Sequence, residues 1–137
     1  MKERILIISD DQTSESLRRE LQENGFDVTL TGNADDGYRQ MVDDQFHLVV
    51  VNLDKAISGA GLIKRIHANA SLSQLRVLTI AAWGTGQATI ALAQGADAFE
   101  PKPVEADRLV DAIERLLRPI MVMRARATAR NGDSEES

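Results

Sequence analysis

Charged and polar side chains follow the apolar runs of this sequence at positions where they could act together. Asp10 and Asp11 come directly after the first long apolar run, and Asn52 ends the second. Lys102 lies between two prolines farther along the chain. Magnesium typically takes one or two carboxylate ligands together with phosphate oxygens, and a lysine ammonium can contact a phosphoryl oxygen. The combination therefore suits phosphoryl chemistry, provided that a nucleophile is present.

The residue at the centre of this set is an amide, which limits the chemistry. An aspartate at position 52 could attack a phosphoryl donor and form an acyl phosphate. Asn52 cannot, because its amide nitrogen is delocalised and its oxygen carries no charge. Asp54 lies two residues along and would point to the same sheet face as Asn52 if the strand continued. A displaced acceptor at Asp54 therefore stays open as a second interpretation.

Five strand patterns, each followed by a helical pattern, position these side chains. The predicted strands cover residues 4–9, 26–30, 48–53, 76–82 and 97–100. Such alternation predicts an α/β fold with a parallel sheet between two helical layers, a three-layer sandwich with five helices. The flavodoxin-like strand order 2-1-3-4-5 makes the two most apolar strands, the first and third, central neighbours. In that order Asp10, Asp11 and Asn52 lie at one carboxyl edge of the sheet.

The second helix carries the most specific local prediction. Asn33 is expected to cap a helix that extends to Asp44 and turns Tyr38, Met41 and Val42 towards the core. Gly37 lies inside this helix, where glycine costs about 1 kcal/mol relative to alanine.

Length and composition favour a single domain with little affinity for nucleic acid. The chain has 137 residues and a net charge of −5, with a pI of about 5.0. It has no cysteine, which excludes disulfides and thiolate metal sites. No apolar run approaches the roughly 20 residues that span a bilayer, so we expect a cytoplasmic protein. We expect a domain over residues 1–118, followed by a helix extension and a disordered tail over residues 119–137.

Residues 3 to 118 resemble the receiver domain of response regulators, the CheY-like domain of two-component signalling. The segment Gly95 to Pro103 resembles the family signature Gly-Ala-Asp-x-aromatic-x-x-Lys-Pro. By this resemblance, Asp10 and Asp11 fall on the acidic pair that binds magnesium. Lys102 falls on the lysine that contacts the phosphoryl group, and Phe99 falls on the aromatic switch position.

Departures from the family pattern concentrate on the reaction itself. Asn52 falls on the phosphoacceptor aspartate, and Ala81 falls on the Thr or Ser whose hydroxyl reports the phosphoryl group. The loop after Asn52 lacks the usual proline and carries one inserted residue. An engineered aspartate-to-asparagine change would explain Asn52 alone and not the other two departures. The pattern favours a natural pseudo-receiver, with a receiver pocket of Asp10, Asp11, Asn52, Ala81 and Lys102.

The resemblance implies signalling by protein–protein contact, with no enzymatic activity and no catalytic residue. We expect a histidine kinase or an effector as the protein partner, no required cofactor, and weak magnesium binding through Asp10 and Asp11. We also expect a homodimer through the last helix and the adjacent surface. A flavodoxin-like module that binds a nucleotide or flavin is the alternative from another class. The absence of a glycine-rich phosphate loop after the first strand argues against it.

Overall fold

The computed structural model describes residues 3–9, 14–52, 56–82, 84 and 86–119, with the backbone alone for residues 56–60. Its strands are β1 (Arg4–Ser9), β2 (Asp27–Thr31), β3 (Leu48–Asn52), β4 (Arg76–Ala81) and β5 (Ala98–Pro101). Its helices are α1 (Ser14–Glu23), α2 (Ala34–Asp43), α3 (Ala56–Ala68), α4 (Gln87–Gln94) and α5 (106–119), with a short 3-10 helix at Ala70–Leu72. None of the helices within the described ranges is long and apolar enough to cross a membrane.

The five strands form one parallel sheet in the order β2-β1-β3-β4-β5. This order confirms the prediction from the strand patterns. The two central strands are continuous apolar runs because helices cover both of their faces. Their register pairs Ile5 with Leu48 at one end and Ser9 with Asn52 at the other.

Two apolar layers lie on opposite faces of the sheet. The layer under α1 and α5 contains alternate residues of the central strands together with helix residues, among them Ile5, Ile7, Leu48, Val50, Leu21, Leu109, Ile113 and Leu117. The layer under α2, α3 and α4 contains the intervening strand residues and others, among them Leu6, Ile8, Val49, Val51, Met41, Leu62, Ile63, Ile66 and Ala91. This alternation determines the face to which each side chain at the carboxyl edge points.

The structure confirms the predicted cap of the second helix but only part of its predicted core face. The Asn33 side chain accepts a hydrogen bond from the Asp36 amide at 2.8 Å, as a cap residue should. Met41 is buried, whereas Val42 is 53% exposed, so its predicted inward position is wrong. The helix contacts the sheet along a stripe through Gly37 and Met41. Val42 lies about 100° of helical rotation beyond Met41 and faces away from the core.

Candidate functional site

The ends of β1 and β3 bring Ser9 and Asn52 side by side at the carboxyl edge of the sheet. Strand alternation places Ser9 on the same face as Ile5 and Ile7, and Asn52 on the same face as Leu48 and Val50. Both polar side chains therefore point into the layer that contains α1 and α5.

A small hydrogen-bonded cluster holds the amide of Asn52. Its Nδ2 donates to Ser14 Oγ at 3.1 Å and to Ser9 Oγ at 3.3 Å. The Ser14 hydroxyl donates to Ser9 Oγ at 2.7 Å. Ser14 is the first residue of α1, so the cluster joins the start of this helix to the two central strands. The amide orientation is thereby determined by neighbours on two other elements.

The same cluster is almost completely shielded from solvent. Asn52 is 3% exposed, Ser9 is 6% exposed and Ser14 is fully buried. The Asn52 Oδ1 atom is buried and has no hydrogen-bond partner within the described part of the chain. A buried carbonyl oxygen without a partner costs about 1–3 kcal/mol.

Other residues predicted for the site lie on the neighbouring strands. Ala81 is the last residue of β4, is 2% exposed and pairs in register with Pro101. The Lys102 amide donates to the Ala81 carbonyl oxygen at 3.0 Å, which holds the segment after β5 against the end of β4. Phe99 pairs in register with Thr79 and is partly buried.

The sheet separates these residues into two groups. Asn52 points towards α1 and α5, whereas Ala81 alternates in phase with Val77, which belongs to the opposite layer. By the same alternation Phe99 and Ala98 face opposite sides of β5, and Ala98 packs against the layer of Asn52.

Asp10, Asp11 and Asp54 lie outside the described residues, so their predicted roles stay predictions. Within the described ranges, no three or more His, Asp or Glu side chains are grouped so that they could hold a metal ion. Asn52 itself can donate through Nδ2 and accept through Oδ1, but it cannot act as a nucleophile.

Sequence reasoning missed the two serines as partners of Asn52. Ser9 is the last residue of the first predicted strand, and Ser14 follows it by five residues. The available signal was the parallel pairing of the first and third strands, which places their last residues next to each other. A hydroxyl residue at the end of one strand and a second at the following helix start could then have been assigned to the amide.

Two sequence comparisons relate this chain to known proteins. The family model of the response regulator receiver domain matches residues 5–114. The transcriptional regulatory protein DltR of Streptococcus agalactiae serotype III (strain NEM316) is 30% identical over 125 residues, which is 89% of this chain and 55% of that protein. The chain thus spans about half the length of the curated relatives that it matches.

Solved structures agree on the fold. A response regulator from Chloroflexus aurantiacus J-10-fl aligns with a TM-score of 0.78 at 22% identity, covering 86% of this chain and 99% of that one. The chemotaxis response regulator CheY4 of Vibrio cholerae aligns with a TM-score of 0.78 at 15% identity, covering 85% and 100%.

The family match favours a signalling module of two-component systems over the nucleotide- or flavin-binding alternative. The strand order β2-β1-β3-β4-β5 agrees with this fold. This chain belongs to the response regulator receiver domain family.

Proposed function

We propose that this receiver domain signals through protein–protein contact without phosphorylation at residue 52. The observation that carries the proposal is the amide at the end of β3, which is 3% exposed and donates to two serine hydroxyls. An amide forms no acyl phosphate, and the surrounding hydroxyls satisfy its nitrogen. The chain therefore keeps the fold of the family but carries an unreactive amide at the position that reacts in the family.

Ala81 supports the same proposal from the neighbouring strand. It is buried at the end of β4, where the family resemblance places a Thr or Ser. A methyl group cannot donate a hydrogen bond to a phosphoryl oxygen. Both the acceptor and the group that would report its modification are thus replaced by unreactive side chains.

The partner that we propose is a histidine kinase or an effector protein. Membership in the receiver family supports a partner of this class. Phe99 at the switch position and Lys102 beside Ala81 belong to the surface that such a partner would contact.

Intact mass spectrometry tests the absence of phosphorylation. After incubation with magnesium and acetyl phosphate, we expect no phosphate-sized mass gain in the native chain. The Asn52→Asp variant is expected to gain one phosphoryl group if the rest of the receiver pocket still functions.

A second variant distinguishes the displaced acceptor. A mass gain in the native chain that disappears in Asp54→Ala would overturn the proposal and identify Asp54 as the acceptor. A gain that persists in Asp54→Ala would overturn it as well and would indicate another acceptor.

We further propose that magnesium binds weakly and is not required. Asp10 and Asp11 are the carboxylates that would hold it. Asn52 would offer only a neutral oxygen, because its side chain is an amide and not a carboxylate. Magnesium prefers charged oxygen ligands, so the Asn52→Asp variant should bind the ion more tightly than the native chain.

We also propose a homodimer through α5 and the adjacent surface. The α4 helix beside β5 supports this, because it has no charged residue and exposes Ile90 and Leu92 by 44% and 48%. Sedimentation velocity should show a concentration-dependent dimer in the native chain that is lost in Leu92→Glu. The exposed Val42→Glu variant on α2 is the matched control, and an equal loss in both variants would contradict this surface.

A further inference from the structure

A groove opens at the amino edge of the sheet, opposite the edge that carries Asn52. The C-terminal end of α2, the 3-10 helix and the turns that precede β3 and β4 surround this amino-edge groove, and its volume is about 540 Å³. Its apolar lining is formed by Met41, Val42, Phe46, Leu72 and Leu75. Val42 is exposed, and Phe46 and Leu72 are only partly buried, so apolar surface remains uncovered here.

The polar lining of the amino-edge groove is acidic. Asp43 and Asp44 line it, and none of the described lining residues is a lysine or an arginine. Arg4 binds Asp44, whereas the exposed carboxylate of Asp43 has no ion pair or hydrogen bond among the described residues. His47 also lines the groove, but its Nδ1 accepts a hydrogen bond from the Arg4 amide at 2.9 Å, as a neutral ring does. The groove therefore suits an apolar segment that also carries a positive charge.

The chain has a segment of this composition directly after α5. Residues 120–126 read Ile-Met-Val-Met-Arg-Ala-Arg, an apolar run followed by two arginines without an acid. Helix α5 starts after the carboxyl end of β5 and packs along the sheet through Leu109, Ile113 and Leu117. At about 1.5 Å per residue it is long enough to run from one edge of the sheet to the other. The segment therefore begins near the edge where the groove opens.

We propose that residues 120–126 dock in the amino-edge groove of the same molecule. In this arrangement the apolar run covers Val42, Phe46 and Leu72, and an arginine pairs with Asp43. Docking would fix the direction in which the chain leaves the domain. The inference goes beyond the proposed function, because the groove lies at the edge of the sheet opposite Asn52 and apart from the partner surface around Phe99.

The attachment of the segment favours it over a separate molecule. Seven extended residues reach about 23 Å, roughly five times the spacing between neighbouring strands, so the segment can pass under the sheet from α5 to the end of α2. A short tether gives an effective concentration on the order of millimolar. A second copy of the chain or another protein would have to compete with this concentration for the same surface.

A spin label at the end of the segment tests the docking. The chain has no cysteine, so Ala127→Cys provides a single attachment point in the full chain. In ¹H–¹⁵N correlation spectra, we expect the oxidised label to cause loss of the backbone amide signals of Val42, Gln45 and Gln74, which should return when the label is reduced. The amide signal of Asp107, at the opposite edge of the sheet, should be unchanged.

Charge reversal tests the predicted ion pair. Asp43→Lys places a repelling cation in the groove and should abolish the signal loss. Asp43 is the exposed last residue of α2, where a lysine suits the helix dipole, so the fold should be kept. Arg124→Glu together with Arg126→Glu should restore the signal loss in the Asp43→Lys background. Asp107→Lys is the matched control, because it changes an exposed acid at the opposite edge and should have no effect.

Three results would overturn the proposal. They are unchanged signals at the groove in the spin-labelled chain, signal loss that persists in Asp43→Lys, and an equal reduction of the signal loss in Asp43→Lys and Asp107→Lys. A mixture of ¹⁵N-labelled chain without the spin label and spin-labelled chain without ¹⁵N tests the remaining occupant. Signal loss at the groove in this mixture would assign the groove to a second copy and would overturn docking within one molecule. Intact mass measures phosphorylation separately, so failure of either proposal can be recognised by itself.

Discussion

At the carboxyl edge of β3, Asn52 is held by hydroxyl groups that are 38 and 43 residues away in the chain. Serine hydroxyls rotate and can donate as well as accept. If position 52 were a carboxylate, both Ser9 and Ser14 could turn to donate to it. The cluster should therefore accommodate Asn52→Asp without loss of fold, which makes that variant a fair test of reactivity at this position.

Gly37 lies where a larger residue would collide with the sheet. A Cβ atom at this position would lie 2.4 Å from Ile8 Cδ1 and 2.7 Å from Ile8 Cγ1. Ile8 is completely buried in the sheet, so it has little room to move. We expect Gly37→Ala to lower the free energy of unfolding by about 1–3 kcal/mol, since overpacking outweighs the higher helix propensity of alanine.

Gly61 provides the matched control for this substitution. It also lies inside a helix, α3, but it is exposed, and a Cβ there would meet no atom of the described residues within 4 Å. Gly61→Ala should therefore raise the free energy of unfolding by up to about 1 kcal/mol. Urea denaturation measures both variants, and a stabilised Gly37→Ala protein would contradict the close approach of α2 to β1.

At the scale of elements, the buried carboxylate of Glu100 in β5 pairs with Arg108 of α5. The Glu100 side chain is 9% exposed and lies 3.5 Å from Nη2 of Arg108, which is itself 67% exposed. The position points into the layer of Leu109 and Ile113, because β5 alternates and Ala98 packs there. A buried carboxylate without a cation or a hydrogen-bond donor beside it would lower the stability of the fold.

Removal of the Arg108 guanidinium should destabilise the protein more than removal of an ordinary surface cation. We expect Arg108→Ala to lower the free energy of unfolding by about 1–2 kcal/mol, because Glu100 stays buried with one donor fewer. Arg115→Ala is the control, since Arg115 pairs with Asp111 on the exposed face of α5 and such pairs contribute about 0.3–0.5 kcal/mol. Equal effects in thermal denaturation would show that Glu100 does not depend on Arg108.

At the scale of the whole molecule, Arg4 joins parts of the chain that are far apart in sequence. Its guanidinium donates to both carboxylate oxygens of Asp44, at 2.6 and 2.9 Å, and its Nε lies 3.4 Å from Asp27. The Phe46 ring lies under the same group, with its centroid 4.8 Å away. The start of β1 is thereby fixed to β2 and to the turn between α2 and β3.

The Arg4 contact gives the stability of the protein a defined dependence on acid. The side-chain hydrogen bond from Arg4 lowers the pKa of Asp44 below its ordinary value of 3.8, helped by the Gln45 amide. A lowered pKa in the folded state means that this contribution is complete above the ordinary value and is lost as the pH falls through the lowered one. Asp44→Asn should therefore unfold at lower urea concentration than the native chain at pH 7.

The difference between the two proteins should shrink as the pH falls below 3.8 and through the lowered pKa of the native carboxylate. Urea midpoints measured across this pH range test the prediction. A difference that is the same at both ends of the range would assign the effect of Asp44→Asn to something other than the charge on the carboxylate.

Much of the architecture could be read from the sequence because its determinants are local. The apolar runs of β1 and β3 need cover on both faces, and the alternation of strands and helices allows few topologies. The predicted β1 agrees with the observed bounds, and the observed β3, Leu48–Asn52, lies within the predicted range 48–53. Gly25 and Gly95 adopt the positive φ angles that end helices α1 and α4.

The sequence by itself determined the fold class, the strand order and the amide at the end of β3. The tertiary structure alone decided what surrounds that amide, which face of α2 meets the sheet, and that Glu100 is buried beside Arg108. These features depend on strand register and on distances between elements that are far apart in the chain. Periodicity along one element specifies which residues share a face, but it does not specify what another element places against that face.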